Sequence, residues 1–184
     1  MSLTAAGWLF VLLLLPQGCN RQNPFPLKRL IFNTTTCFGN CPALHLELNS
    51  DTTFRLYVEH VWDSTGAETD WSRIGYYEGK VSDSSYSRIL TQLQNLDLEN
   101  HTWDSYLYHD AAFKELIVYY YPDERKSLAS MCPPYEAHRL IESLYELCNV
   151  EEKARVNDTF HIEHDTSLWN ILYYDIDYFN NPVN

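Results

Sequence analysis

Two cysteines four residues apart, in the run Cys37-Phe38-Gly39-Asn40-Cys41-Pro42, form the sharpest chemical constellation in the chain. As thiolates such a pair is a soft ligand set suited to Cu(I), and it can also cycle between dithiol and disulfide. In a thioredoxin-like site of that kind the second cysteine opens a helix. Here Ala43 to Asn49 instead alternates apolar and polar side chains as a strand does. The context therefore predicts a structural bridge or thiol pair. Redox or copper handling by Cys37 and Cys41 is the alternative.

A second cluster, His161-Ile162-Glu163-His164-Asp165, carries imidazole and carboxylate groups of the kind that bind zinc. His101, His109 and Asp110 are candidate helpers elsewhere. If residues 160–163 form a strand, His161 and His164 point to opposite faces, and a shared ion requires a bend after Glu163. The expectation is a solvated acidic edge without metal or cofactor, with His161, His164 and Asp165 as the candidates a bend would unite.

The third feature is aromatic content, 14 Tyr and 5 Trp, concentrated at Tyr106 to Tyr108, Tyr119 to Tyr121 and Trp169 to Phe179. Strands absorb many aromatics, but exposed ones stack on sugars or anchor interfaces. Trp169, Tyr173, Tyr174 and Tyr178 are the candidate binding surface. No G-x-S-x-G elbow, H-E-x-x-H pair, phosphate-binding loop or dinucleotide fingerprint is present. The 25 acidic residues permit so many carboxylate pairs that they select none. The inventory assigns no catalytic residue and leans away from an enzyme.

The elements that must position these groups follow from periodicity. Leu27 to Thr35 reads as a first strand. Leu44, Leu46 and Leu48, then Phe54, Leu56 and Val58, alternate with polar residues on either side of Asn49 to Thr52, which is a hairpin with one buried face. A fourth strand falls around Arg73 to Val81. Ser82 caps a helix whose apolar face is Tyr86, Ile89, Leu90, Leu93 and Leu96. Phe113 to Tyr121 and Lys126 to Met131 form a strand pair, and residues 134–147 a second helix with Pro134 in its first turn. The order ββββαββα predicts an α+β fold: an antiparallel sheet of about six strands with two helices packed on one face. Glu151 to Arg155 reads as a charged link and Thr159 to Glu163 as a short strand.

The N-terminus sets the compartment. Residues 1–18 hold no charged side chain, and their apolar core, Trp8 to Leu15, is far shorter than the roughly 20 residues of a spanning helix. That fits a signal peptide, and Gly18 before Cys19 fits lipidation of Cys19. Residues 19–27 are then a lipidated terminus and polar tether, 28–149 the α+β domain, and 150–184 an acidic aromatic extension that docks on the domain or on a partner. The expected location is the cell envelope, on the periplasmic side or cell surface, or outside the cell without the lipid. The formal charge of −12 disfavours nucleic acid and leaves the membrane, through the lipid, and an envelope protein or glycan as partners.

Export permits disulfides. Beyond Cys19 the cysteines are Cys37, Cys41, Cys132 and Cys148. Cys132 and Cys148 flank the second helix, roughly 20 Å apart at its rise per residue, whereas bridged Cα atoms lie within about 7 Å. The local bridge Cys37 to Cys41 is the first choice, and a long-range bridge from either to Cys132 or Cys148 the second.

The turn Cys37, Phe38, Gly39, Cys41, Pro42 and the leucine hairpin behind it are accompanied by Asp51, Gly75, Gly79, Lys80, Ser82 and Tyr86, and by Tyr106 and Asp110. On these residues the chain, over about 28–148, resembles a family of bacterial envelope lipoproteins common among Bacteroidota and defined as domain of unknown function 6438. It departs from that pattern in Cys132, Cys148, the loop Asp63 to Asp70 and the extension after 150. The resemblance implies fold and compartment and supplies no catalytic residue. The expected function is a non-enzymatic binding or structural module.

Overall fold

Leucines on every second residue decide how the sheet lies. In the computed structural model, which describes residues 24–37, 39–100, 102–103, 111–149 and 153–165, Leu44, Leu46 and Leu48 of β2 (Ala43–Asn49) are buried. So are Phe54, Leu56 and Val58 of β3 (Thr53–His60). They share one face with Leu30 and Phe32 of β1 (Leu27–Thr34), and the chain continues through β4 (Gly75–Lys80) into α1 (Asp83–Asn95). Ser82 caps α1 as its sequence predicts, its hydroxyl accepting from the Ser85 amide at 3.2 Å.

The second half supplies β5 (Lys114–Tyr120), β6 (Glu124–Ser130) and α2 (Tyr135–Cys148), with Pro134 at the N-cap. Ile89 and Leu93 of α1 and Leu140 and Leu144 of α2 join the leucine face in one apolar cluster. All pairings are antiparallel, in the order β6-β5-β1-β2-β3-β4-β7.

The class is α+β, but an arrangement of six strands with helices on one face is incomplete on two counts. Ala154–Val156, overlapping the end of the stretch read as a charged link, forms a seventh strand, β7, on the outer side of β4. Three residues carry no alternation to read; tertiary contacts hold them. Arg155 donates to the carbonyls of Ser72 at 3.3 Å and Ile74 at 2.7 Å. Gly75, at φ +140°, makes room, because a Cβ there would stand 3.1 Å from the Arg155 guanidinium. Second, residues 160–165 are not the strand expected at 159–163. They cross the sheet's other face as a strap outside the strand ladder, where Ile162 meets Ile31 and Ile117.

Candidate functional site: a polar-aromatic cleft under the strap

The residues between the leucines define the second face. In register they form one row across the sheet: Glu115 on β5, Asn33 on β1, His45 on β2, Tyr57 on β3 and Tyr76 on β4. Side chains directly opposite on neighbouring strands are close enough to interact, and this row uses every such chance. Asn33 Nδ2 donates to Glu115 Oε2 at 2.6 Å and to the Glu163 carbonyl of the strap at 2.9 Å. Its Oδ1 faces His45 Nδ1 at 3.1 Å. His45 then stacks on Tyr57 and Tyr57 on Tyr76, with ring centroids 5.5 and 4.6 Å apart and planes 16° apart in both cases.

Hydrogen bonding decides the protonation logic. With both donors of the Asn33 amide committed to acceptors, its oxygen must accept from His45, so His45 Nδ1 carries a proton. The other ring nitrogen, Nε2, lies 3.0 Å from Glu59 Oε2, and that contact needs one more proton for the pair. Burial pushes the His45 pKa below its ordinary value, the Glu59 hydrogen bond opposes this, and the neighbouring His164 adds to the lowering. Both ring nitrogens face protein groups, Asn33 on one side and Glu59 on the other.

The strap is fastened by charge as well as by Ile162. Glu163 accepts from Arg29 at 2.8 Å, from the Tyr119 hydroxyl at 2.6 Å and from Arg125 at 3.3 Å. Asp165 pairs with Arg125 at 3.1 Å, and its amide donates to Glu115 Oε1 at 2.9 Å. Between the strap and the ends of β1 to β4 lies a cleft of about 690 Å³. Thr35, Tyr57, Glu59, His60, His161 and His164 are among its walls.

The site residues expected from sequence fall as follows. Cys37 and Cys41 are bridged, with Cα atoms 5.4 Å apart, and the bridge ties the end of β1 to the start of β2 beside the cleft. Cys132 and Cys148 are both free, Cys132 exposed and Cys148 buried. Burial pushes the Cys148 thiol up to about 12, so it stays protonated. His161 and His164 do not diverge: without a strand at 160–163 both line the cleft, their rings 6.2 Å apart. Asp165 turns away to Arg125. The solvated acidic edge expected here is instead packed and ion-paired, because Ile162 anchors it. Among the described residues no three His, Cys, Asp or Glu side chains are placed to hold a metal ion. Cys19, His101, Tyr106, His109, Asp110, Trp169, Tyr173, Tyr174 and Tyr178 lie outside the described residues.

Sequence reasoning missed the centre of this site: Asn33, His45, Glu59 and Glu115. A signal existed for two of them. Asn33 directly follows the apolar run Leu30-Ile31-Phe32 within β1, and Glu115 precedes Leu116-Ile117-Val118 within β5; polar residues in buried strands need partners.

Residues 28–147 match the family described as Domain of unknown function (DUF6438). The chain belongs to this family. No curated protein and no solved structure matches it. The matched stretch supplies β1 to β6, both helices and the row from Glu115 to Tyr76. It ends before β7 and the strap, so the wall formed by Phe160, His161, Ile162 and His164 lies beyond the family segment.

Proposed function

We propose that the protein is a bacterial envelope lipoprotein of Bacteroidota type, anchored through Cys19 after removal of residues 1–18, whose domain is a non-enzymatic binding module for an envelope protein or glycan. The supporting observation is the cleft under the strap: it is lined by hydroxyl, imidazole and carboxylate groups on a rigid sheet, while its central imidazole is tied up on both nitrogens. Pockets of this kind, concave with a few fixed polar groups, are the usual places for ligands. The Cys37–Cys41 bridge supports a structural use of those cysteines. Amide shift mapping of the full chain against envelope glycans and peptides tests the reading. Shifts at His45, Tyr57, Tyr76 and His161 are expected, and silence at all four sinks it. For the anchor, Cys19→Ser should move the protein from the membrane to the soluble fraction; unchanged fractionation contradicts lipidation.

A further inference from the structure

We infer that the cleft takes a neutral, hydroxyl-rich saccharide, gripped by hydrogen bonds to ring edges and side-chain hydroxyls rather than by stacking on aromatic faces. The inference rests on the reading of the cleft as a binding site and names the ligand class.

Aromatic geometry closes both faces of Tyr57, the central ring of the row, to stacking. Tyr57 has one ring face against His45 and the other against Tyr76. Tyr76 has Tyr57 on one face and also meets Phe160, centroids 5.0 Å apart and planes 74° apart. A sugar ring finds no flat platform on Tyr57; what that side chain offers is its edge and phenol. Burial, Glu59 and Tyr76 all hold the Tyr57 phenol protonated, so it remains a donor.

Next, the hydrogen-bonding complement. His60 lines the cleft, and its Nε2, buried behind that wall, has no hydrogen-bond partner among the described residues. A buried polar atom of this kind costs stability unless something satisfies it. Glu59 is 56% exposed and offers acceptor oxygens beyond the one facing His45. Thr35, Thr36 and His161 add groups that can both give and take hydrogen bonds. Donors and acceptors interleaved around one space suit hydroxyl groups, which are both.

Charge and topology exclude the competitors. No Lys or Arg is among the described residues lining the cleft, and the chain carries a formal −12. Uronate, sialate and phosphate groups would enter against that field with no cation to meet them. A peptide most readily joins a sheet by adding a strand to a free edge. Beneath the cleft both β3 and β4 are paired on both sides.

The test uses the full chain in a zwitterionic detergent near neutral pH, titrated with neutral glucan, mannan and chitin oligosaccharides and with acidic oligogalacturonate. At least one neutral oligosaccharide should shift the amides of Tyr57, Tyr76 and His161, and oligogalacturonate should not. Tyr57→Phe removes only the phenol oxygen, and it should raise that Kd roughly three- to ten-fold, the loss of one hydrogen bond, at unchanged Tm. Equal binding of the acidic oligosaccharide, or an unchanged Kd in Tyr57→Phe/Tyr76→Phe, overturns the inference. If peptides move the same amides and no oligosaccharide does, the saccharide class falls and the binding-module reading stands. Silence to both classes removes both.

Discussion

Glu115 is a carboxylate with no exposure to water, and its partners explain why it tolerates that place. It accepts from the Asn33 side chain and the Asp165 amide, and His164 Nδ1 stands 3.6 Å away. Glu115→Gln keeps the shape but turns an amide donor toward a group that needs an acceptor. The expected loss is about 1–3 kcal/mol, the cost of one mismatched buried hydrogen bond, read as a lower urea midpoint; an unchanged midpoint contradicts the role assigned to the row. His45 gives a pH prediction. Its folded-state pKa lies below the ordinary 6.5 because burial penalises the cation. Between that lowered value and 6.5 the unfolded chain binds more protons than the folded one. The His45 contribution to stability therefore falls as pH drops through this window and is level above it. Urea midpoints from about pH 8 to about pH 5 should show this decline, and His45→Gln should remove part of it. A parallel pH profile in the variant argues against His45 as the source. Asn33 and Glu115 could have been noticed as polar residues directly beside apolar runs, but no spacing rule says that residues 33, 45, 57, 76 and 115 share one row. Register fixes that, and register is a property of the assembled sheet.

At the scale of elements, legibility follows periodicity. The hairpin β2–β3 shows clean alternation of leucines with polar groups, and Ser82 announces α1. β7 shows nothing, since its place depends on Arg155 reaching two carbonyls past a glycine. The strap misleads because a stretch with one buried isoleucine resembles a short strand, yet its backbone is held by the side chains of Asn33 and Glu115 and not by a strand ladder. Its attachment is open to test. Ile162 is 5% exposed against Ile31 and Ile117, so Ile162→Ala should cost about 2–4 kcal/mol locally. Hydrogen exchange should speed up across residues 160–165 while the helices stay protected; unchanged protection speaks against the anchor. The Cys37–Cys41 bridge closes a short loop, with a sequence separation of 4. In the chain-entropy account so short a loop stabilises by about 2 kcal/mol. Replacing both cysteines by serine should lower Tm and leave the circular dichroism spectrum unchanged, because the leucine face does not depend on the bridge; loss of the spectrum would show that it does.

For the whole molecule, the family segment and the residues beyond it divide the labour. Residues 28–147 build a sheet with one well-packed face, and residues 153–165 finish the opposite face and one edge. A chain ending at Asn149 should therefore expose Ile31, Ile117 and the open edge of β4, and such edges invite pairing between copies. Light scattering should find it more strongly associated than the full chain; an unchanged assembly state would mean the strap is dispensable. The bond from Arg29 to Glu163 spans 134 residues, so one of the first strands to emerge waits for one of the last described segments. Contacts so distant in sequence close late, since their loop entropy must be met before they reward the chain. For a polypeptide threaded from its N-terminus, the leucine side can consolidate while the tail is still in transit. The cavity itself is the product of that late closure, so a chain not yet delivered past α2 has a core but no cleft.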